Sequence, residues 1–455
     1  MDAFLHEFKA AYNEGNGYSL SMTLYPVAPA SNPNRLREFY RSTNFEHVKK
    51  DIEYRLLYDD RSPLNCSVEE GRAWVDVYCA FWKFIGYMSN AEAAPEDNSK
   101  DAWTKVYESW KEVTNALHRG YSACGFEAWT VPCLYVAGKY LRIFAIKADE
   151  ATGTVSNAAM NYQDDLNPES ETNEKLEDAA RQLNRIFTLC LSDRATLEES
   201  RKWATYNIIN LLFKTYFKLN SIGLSRNILN AIQAYRGDMP SLESFPMSHQ
   251  VTFKYYCGVI YFLEEHYEEA EKYLTEAWRL CHKSAVKNKE YTHPYLPNSM
   301  SPLNNPHSSY PALLKPYPKL QKLFGPLSRC IKKGDLAGFD AALLAGENEF
   351  VKRRIYLTLE RGRDIALRNL LRKVFIAGGY EEAKEPTAAP VRKTRIPVAE
   401  FAAAISIGSK ETMENDEVEC LLANMIYKSL MKGYISRAHG IVVLSKGGAF
   451  PGTGV

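Results

Sequence analysis

The last part of the chain decides the fold, and it reads IPVAEFAAAISI (396–407), NDEVECLLANMIYKSLMKG (415–433) and YISRAHGIVVLSK (434–446). The first two segments carry apolar residues at helical spacing. The third places two short strand-like runs on either side of the turn RAHG. Helix, helix and a short two-stranded wing in this order predict a winged helix.

The second of these helices has start and stop signals in the sequence. Asp416 with Glu419 has the spacing of an N-terminal capping box, and Gly433 stands where a left-handed C-terminal cap is expected. The residues predicted to face the core recur at helical spacing, and they are Val418, Leu421, Leu422, Met425 and Ile426. The sequence therefore predicts a well-bounded helix within 416–433.

Long motifs along the chain carry a resemblance to a known family. EFVKRRIYLTLERGRDIALRNLLRKVF (349–375) and DEVECLLANMIYKSLMKGYIS (416–436) resemble the PCI domain of the COP9-signalosome subunit-twelve-like family, which includes the PCI subunit of the nuclear transcription-and-export complex. GNGYSLSMTLYPVAP (15–29), LREFYRSTNF (36–45) and WTVPCLYVAGKYLRIFAI (129–146) resemble its fungal branch. The resemblance implies an all-α fold in which a TPR-like helical-repeat stack ends in a winged helix with a small β-wing.

Composition and motifs together predict five regions. Residues 1–149 are expected to be helical with a tryptophan-rich core, and 150–177 to form a flexible acidic linker because large apolar residues are scarce there. Residues 178–360 are expected to hold the helical repeats, 361–446 the winged helix and 447–455 a frayed tail. One repeat carries a tetratricopeptide-like signature at Gly258, Tyr261, Ala270, Leu274 and Ala277.

The segment 291–311 interrupts the repeat pattern. It contains five prolines, each of which removes a backbone donor and opposes helix formation, so irregular chain is predicted there. The resemblance implies an apolar helix at this place. The segment therefore also suggests either an error in the reading frame or splice boundary assigned here, or a genuine compensated shift of the frame.

Composition excludes several classes of protein. The 455 residues carry a formal net charge of +1, so polyanion binding would need local basic patches. The nine cysteines are scattered without a CxxC pair, which indicates reduced core cysteines, and neither a signal peptide nor a membrane span is predicted. We therefore expect an intracellular protein.

No catalytic, metal or cofactor motif occurs in the sequence. Walker, G-x-S-x-G, dinucleotide and H-E-x-x-H patterns are absent, and the histidines are spread apart. An acidic cluster is predicted to be a solvated surface rather than a metal or catalytic site, and its members are Glu264, Glu265, Glu268, Glu269 and Glu271. We expect a protein that is not an enzyme and binds no cofactor.

Basic residues offer the best candidate site. A nucleic-acid-binding surface is predicted at the winged-helix end, formed by Lys428, Lys432, Arg437 and Lys446 with Arg392, Lys393 and Arg395. A basic run also precedes it at 352–373, where any single residue could equally pair with acids of a neighbouring helical layer. Winged helices can serve as assembly surfaces as well, so the alternative use stays open.

The resemblance also implies partners. These are a larger PCI-like protein of the Sac3/GANP type, the small acidic Sem1/Dss1 protein, and RNA or DNA, with a nuclear role in messenger-RNA biogenesis, splicing or export. The residues predicted to bind the acidic partner are Lys254, Tyr255, Tyr256, Arg279 and Lys283. The alternative is a structural subunit associated with the COP9 signalosome that binds no nucleic acid.

Overall fold

The structure is a computed structural model that describes residues 1–59, 63–94, 99–157, 173–292, 317–381 and 392–453. The chain divides into two compact units, Met1–Tyr256 and Cys257–Val455. The helices of the first unit are α1 (Asp2–Asn13), α2 (Gly17–Thr23), α3 (Arg35–Arg41), α4 (Val48–Glu53), α5 (Val68–Ala93), α6 (Ser99–Ala123), α7 (Pro132–Asn157), α8 (Glu174–Leu191), α9 (Thr205–Lys218) and α10 (Gly223–Ala234). Helix α11 (Met247–Leu263) crosses the division.

The second unit contains shorter helices and the only strands in the described residues. The helices are α12 (Tyr267–Leu280), α13 (Val286–Thr292), α14 (Pro318–Lys333), α15 (Leu336–Ala345), α16 (Glu347–Lys352), α17 (Tyr356–Glu360), α18 (Gly362–Ala377), α19 (Val398–Ser409) and α20 (Asn415–Tyr427). The strands are β1 (Arg395–Pro397), β2 (Gly433–Ser436) and β3 (Ile441–Leu444). The predicted all-α fold with a terminal β-wing is confirmed.

Aromatic side chains form the core of the first unit, where α5, α6 and α7 pack in succession. Trp74 and Trp110 are completely buried and Trp82 is nearly so, whereas Trp103 and Trp129 are partly exposed. The ring of Trp74 stacks on Phe126 with centroids 4.2 Å apart. Such pairs add to the free energy gained by burying the rings.

Regular structure extends into both ends of the predicted linker. Helix α7 continues to Asn157, and α8 begins at Glu174, while 158–172 lie outside the described residues. The carboxylate of Asp149 on α7 accepts hydrogen bonds from the backbone N–H groups of Lys175 and Leu176, at 3.0 and 2.9 Å. These are donors that the first turn of α8 would otherwise leave unpaired, so α7 fixes the start of α8.

The tetratricopeptide-like pair is present within the second unit. A Cβ built on Gly258 would lie 2.5 Å from Cγ of Leu274, so only glycine allows the two helices to approach this closely. Ala270, Leu274 and Ala277 on α12, which belong to the tetratricopeptide-like signature, are completely buried. The proline-rich segment falls almost entirely in 293–316, outside the described residues.

The basic run 352–373 lies on several short helices, and part of it pairs within the unit. Arg361 Nη2 lies 2.7 Å from Glu265 Oε1, and Arg363 Nε lies 3.0 Å from Asp340 Oδ1. These contacts agree with the structural interpretation of the run. Glu265 belongs to the predicted acidic surface, and its side chain is 56% exposed.

The winged helix differs from the prediction at both ends of helix α20. The capping box consists of Glu414 and Glu417, not Asp416 and Glu419, because the helix begins at Asn415. Gly433 does not cap α20, which ends at Tyr427. It begins β2 instead, where a Cβ would lie 2.4 Å from the carbonyl oxygen of Val443.

The tail is not frayed over its described part. Ala449 and Phe450 are buried, and the ring of Phe450 lies 5.9 Å from that of Phe375 on α18. The backbone N–H of Lys432 donates to the carbonyl of Ala449 at 2.8 Å. Burial of the Phe450 ring explains why this glycine-rich segment packs against the rest of the unit. The glycines by themselves had suggested a frayed tail.

Candidate nucleic-acid interface

The wing is a three-stranded antiparallel sheet in the order β1-β3-β2. The strand β1 was not predicted. The only sign of it in the sequence is the spacing of two apolar residues, Ile396 and Val398, two positions apart after Arg395. Its register places Arg395 opposite Val443, which in turn lies opposite Tyr434 on β2. Residues in register point to the same face of a sheet, so these three side chains share one face.

This face is open to solvent, whereas the opposite face is packed. Ile396 and Val442 are buried on the inner face, while Tyr434 is 63% exposed and Arg395 is exposed on the outer one. A cation and an exposed aromatic ring therefore flank Val443. We call this surface the outer sheet face, formed by Lys393, Arg395, Lys432, Tyr434 and Val443.

Two lysines extend the outer sheet face along its edges. Lys393 and Lys432 each precede a face residue by two positions, which is the side-chain period of an extended chain. The ladder reaches Lys432, because Ser445 N–H donates to its carbonyl at 2.9 Å, and it reaches Thr394, next to Lys393, because Leu444 N–H donates to the Thr394 carbonyl at 2.8 Å. Both lysine side chains are exposed. Lys446, also exposed, lies just beyond β3.

Arg392 is placed differently from its predicted neighbours. Its guanidinium lies over the ring of Tyr380 at 4.7 Å, and its backbone forms an isolated bridge to the same residue. A cation over an aromatic face is stabilised by the ring quadrupole. Arg392 thus fixes the entry to β1, and its guanidinium is already engaged.

Two other predicted contacts are engaged in ion pairs. Lys428 Nζ lies 2.6 Å from Asp364 Oδ2 on α18. Arg437 lies 3.5 Å from Asp416 Oδ1 and also 3.5 Å from Glu419 Oε2. The sequence indicated basic residues without showing their acidic neighbours. Exposed pairs of this kind contribute little to stability, but they reduce the charge offered to phosphate.

The first turn of α20 is acidic. Glu414, Asp416 and Glu417 are exposed there, and Glu419 follows on the next turn. Carboxylates suit a helix N-terminus because they oppose its partial positive charge. They also repel phosphate, so the basic groups at this end of the molecule are best presented by the outer sheet face.

The predicted partner-binding residues fall in both units. Lys254, Tyr255 and Tyr256 belong to the first, where the ring of Tyr256 packs edge-on against Phe217 at 4.9 Å. Arg279 and Lys283 belong to the second and are exposed. The sequence did not reveal that Tyr256 also contributes to packing. Partner binding at these positions stays a prediction.

Two kinds of feature are absent from the described residues. No group of three or more histidine, cysteine or acidic side chains is arranged there to hold a metal ion. Within the same ranges, no helix has the length and apolar character needed to cross a membrane.

Comparison with known proteins places this geometry in context. The PCI domain family matches residues 345–446, which include the whole wing. "Protein CSN12 homolog" of Neurospora crassa is 58% identical over 463 aligned residues covering 100% of both chains, and that of Schizosaccharomyces pombe is 37% identical over 411, covering 88% of each. "PCI domain-containing protein 2" of Danio rerio is 32% identical over 355 residues, covering 78% of this chain and 80% of that protein.

Proposed function

Because the chain belongs to the PCI-domain family of the CSN12 homologs and PCI domain-containing protein 2, we propose that it is a non-catalytic scaffold subunit that binds nucleic acid. In this proposal it pairs with a Sac3/GANP-type PCI-like protein and a small acidic Sem1/Dss1-type protein. The assembly acts in the nucleus, in messenger-RNA biogenesis, transcription-coupled splicing or export. The partners and the compartment come from the resemblance.

The observation that carries nucleic-acid binding is the outer sheet face. Three cationic side chains, Lys393, Arg395 and Lys432, belong to the same face as the exposed ring of Tyr434, and none has a carboxylate partner among the described residues. Cations that contact phosphates and a ring that stacks on a base together suit single-stranded nucleic acid. Recognition of this kind is tolerant of sequence.

A second candidate function has its own support. The ion pairs of Lys428 and Arg437, together with the acidic first turn of α20, reduce the positive charge on the helical side of the wing. That distribution favours the structural alternative, a signalosome-associated subunit that binds no nucleic acid. In that case the outer sheet face would contact protein.

Salt-dependent binding separates the two functions. The full chain, alone and with its co-purified partners, is titrated with single- and double-stranded oligonucleotides at several salt concentrations. The proposal predicts that affinity falls as salt rises, with a logarithmic slope near −0.7 per phosphate contact for single strands. Absence of binding at low salt, with or without partners, would leave the structural alternative.

A further inference from the structure

A second group of basic side chains lies in the first unit, where three helices meet. Lys139 and Arg142 belong to α7, Lys214 to α9 and His249 to α11. Arg142 Nη2 donates to the carbonyl oxygen of Lys214 at 3.2 Å, which joins α7 to α9. The ring of Tyr135, on α7, packs edge-on against His249 at 5.6 Å. We call Lys139, Arg142, Lys214 and His249 the cationic seam.

The cationic seam has no compensating acid in the part of the chain that the structure describes. Within the described ranges, no carboxylate forms an ion pair with Lys139, Arg142 or Lys214, and the Lys139 ammonium lies 3.0 Å from the hydroxyl of Tyr25 instead. Burial, and then the positive charges of Arg142 and Lys139, lower the pKa of Lys214. Cations held together without an acid raise the free energy of the fold.

The cationic seam also contains buried hydrogen-bond donors for which the described residues offer no acceptor. Arg142 Nε and His249 Nδ1 are buried and have no hydrogen-bond partner among the described residues, and the same holds for one neighbouring acceptor, Asn207 Oδ1. Asn207 Nδ2 lies 3.0 Å from His249 Nε2, and when it donates there the neutral ring carries its proton on Nδ1. Buried donors of this kind are rare in folded proteins, and an unseen acceptor is a common reason.

We propose that the cationic seam binds a compact tetrahedral oxyanion, phosphate, either free or as a phosphomonoester. Arg142 and Lys214 are the contacting residues, and exposed Lys139 attracts the anion from solvent. Guanidinium and ammonium groups form the strong charge-assisted bonds that phosphate accepts. A small anion suits the place because Arg142, Lys214 and His249 are all half-buried between helices. This site is independent of nucleic-acid binding at the wing.

Thermal unfolding of the full chain tests the proposal. Inorganic phosphate and glycerol 3-phosphate are added in parallel, with chloride at equal ionic strength as reference. Phosphate is expected to raise Tm by about 1–3 °C over chloride, because it binds only the folded state. A rise with inorganic phosphate alone indicates the free anion, and a rise with both indicates that a phosphomonoester is also accepted.

Lys214→Met separates binding from a structural role. The variant keeps the length of the side chain but removes its charge, so Tm without phosphate should rise while the response to phosphate is lost. Lys218→Met is the matched control, since Lys218 lies one turn along α9 and already pairs with Glu150. Its response should equal that of the wild type.

Two outcomes would overturn the site. One is a phosphate response in Lys214→Met equal to that of the wild type, and the other is a loss of the response in Lys218→Met as well. If Lys214→Met fails to fold, calorimetric titration of Arg142→Gln with inorganic phosphate decides. The affinity should then be at least about tenfold lower, because a charge-assisted bond is removed; an unchanged affinity counts against the proposal.

Discussion

Single residues decide what the wing presents to solvent. Tyr434 and Arg395 share the outer sheet face because Val443 lies in register between them. Sequence reasoning found Arg395 by its charge but missed Tyr434, since an aromatic residue in a short strand is usually a core residue. Its 63% exposure became visible only once the register was known.

Gly433 gives a prediction at the same scale. Gly433→Ala should lower the free energy of unfolding by about 1–3 kcal/mol, because the added Cβ would meet the Val443 carbonyl at 2.4 Å and backbone must shift to admit it. Urea unfolding measures the change. Gly447→Ala is the control, since a Cβ there meets nothing within 4 Å. Equal stability of the two variants would show that the close approach is absent.

Helices were predicted better than their ends. The existence of α20 and its buried Val418, Leu422 and Met425 follow from apolar spacing. The helix starts two residues before the predicted position, because the capping residue is Glu414, although Glu is a weaker cap than Asp. The sequence suggested Asp416 and Glu419 as the capping residues. They pair instead with Arg437 in the turn between β2 and β3, a contact that the local sequence does not predict.

The connection between α8 and α9 yields a pH-dependent prediction. The buried carboxylate of Asp193 accepts hydrogen bonds from Ser200 Oγ, Arg201 N–H and Arg201 Nη2, at 3.0, 2.7 and 2.8 Å. Burial alone would raise its pKa, but the hydrogen bonds and charge of Arg201 hold the pKa well below its usual range. The resulting stability is full above the unfolded pKa of about 3.9 and is lost as pH falls toward the folded value.

Asp193→Asn should therefore lower the free energy of unfolding at pH 7 by about 2 kcal/mol or more, because Arg201 loses its buried partner. The loss relative to wild type should shrink between pH 5 and pH 3, because Asp193 becomes protonated in the unfolded wild-type chain while it stays ionised in the folded one, which lowers the wild-type stability. Denaturant unfolding across that range measures it. Asp238→Asn, at an exposed aspartate, is the control. A difference that does not change with pH would refute the role of the ionised carboxylate.

At the scale of the whole molecule, the fold class and the family were predictable because long motifs and apolar periodicity extend over most of the chain. The distribution of charge was not, since the acids opposite Lys428, Arg361 and Arg363 lie 23 to 96 residues away in sequence. The cationic seam was missed for the same reason: α7, α9 and α11 bring its members together. Pairing across such distances depends on the packed structure.

The most direct test of the central claim compares two sets of variants in nucleic-acid binding. The first is a triple variant that combines Lys393→Gln, Arg395→Gln and Lys432→Gln. It should weaken binding to all sequences and flatten the salt slope by about 0.7 per lost contact on single strands. The control Arg329→Gln, at an exposed arginine elsewhere in the unit, should leave affinity and salt slope unchanged. Tyr434→Ala should weaken single-strand binding by about 1–3 kcal/mol, and Tyr434→Phe should retain it. A triple variant that folds, assembles and binds with the wild-type affinity and salt slope would contradict the account.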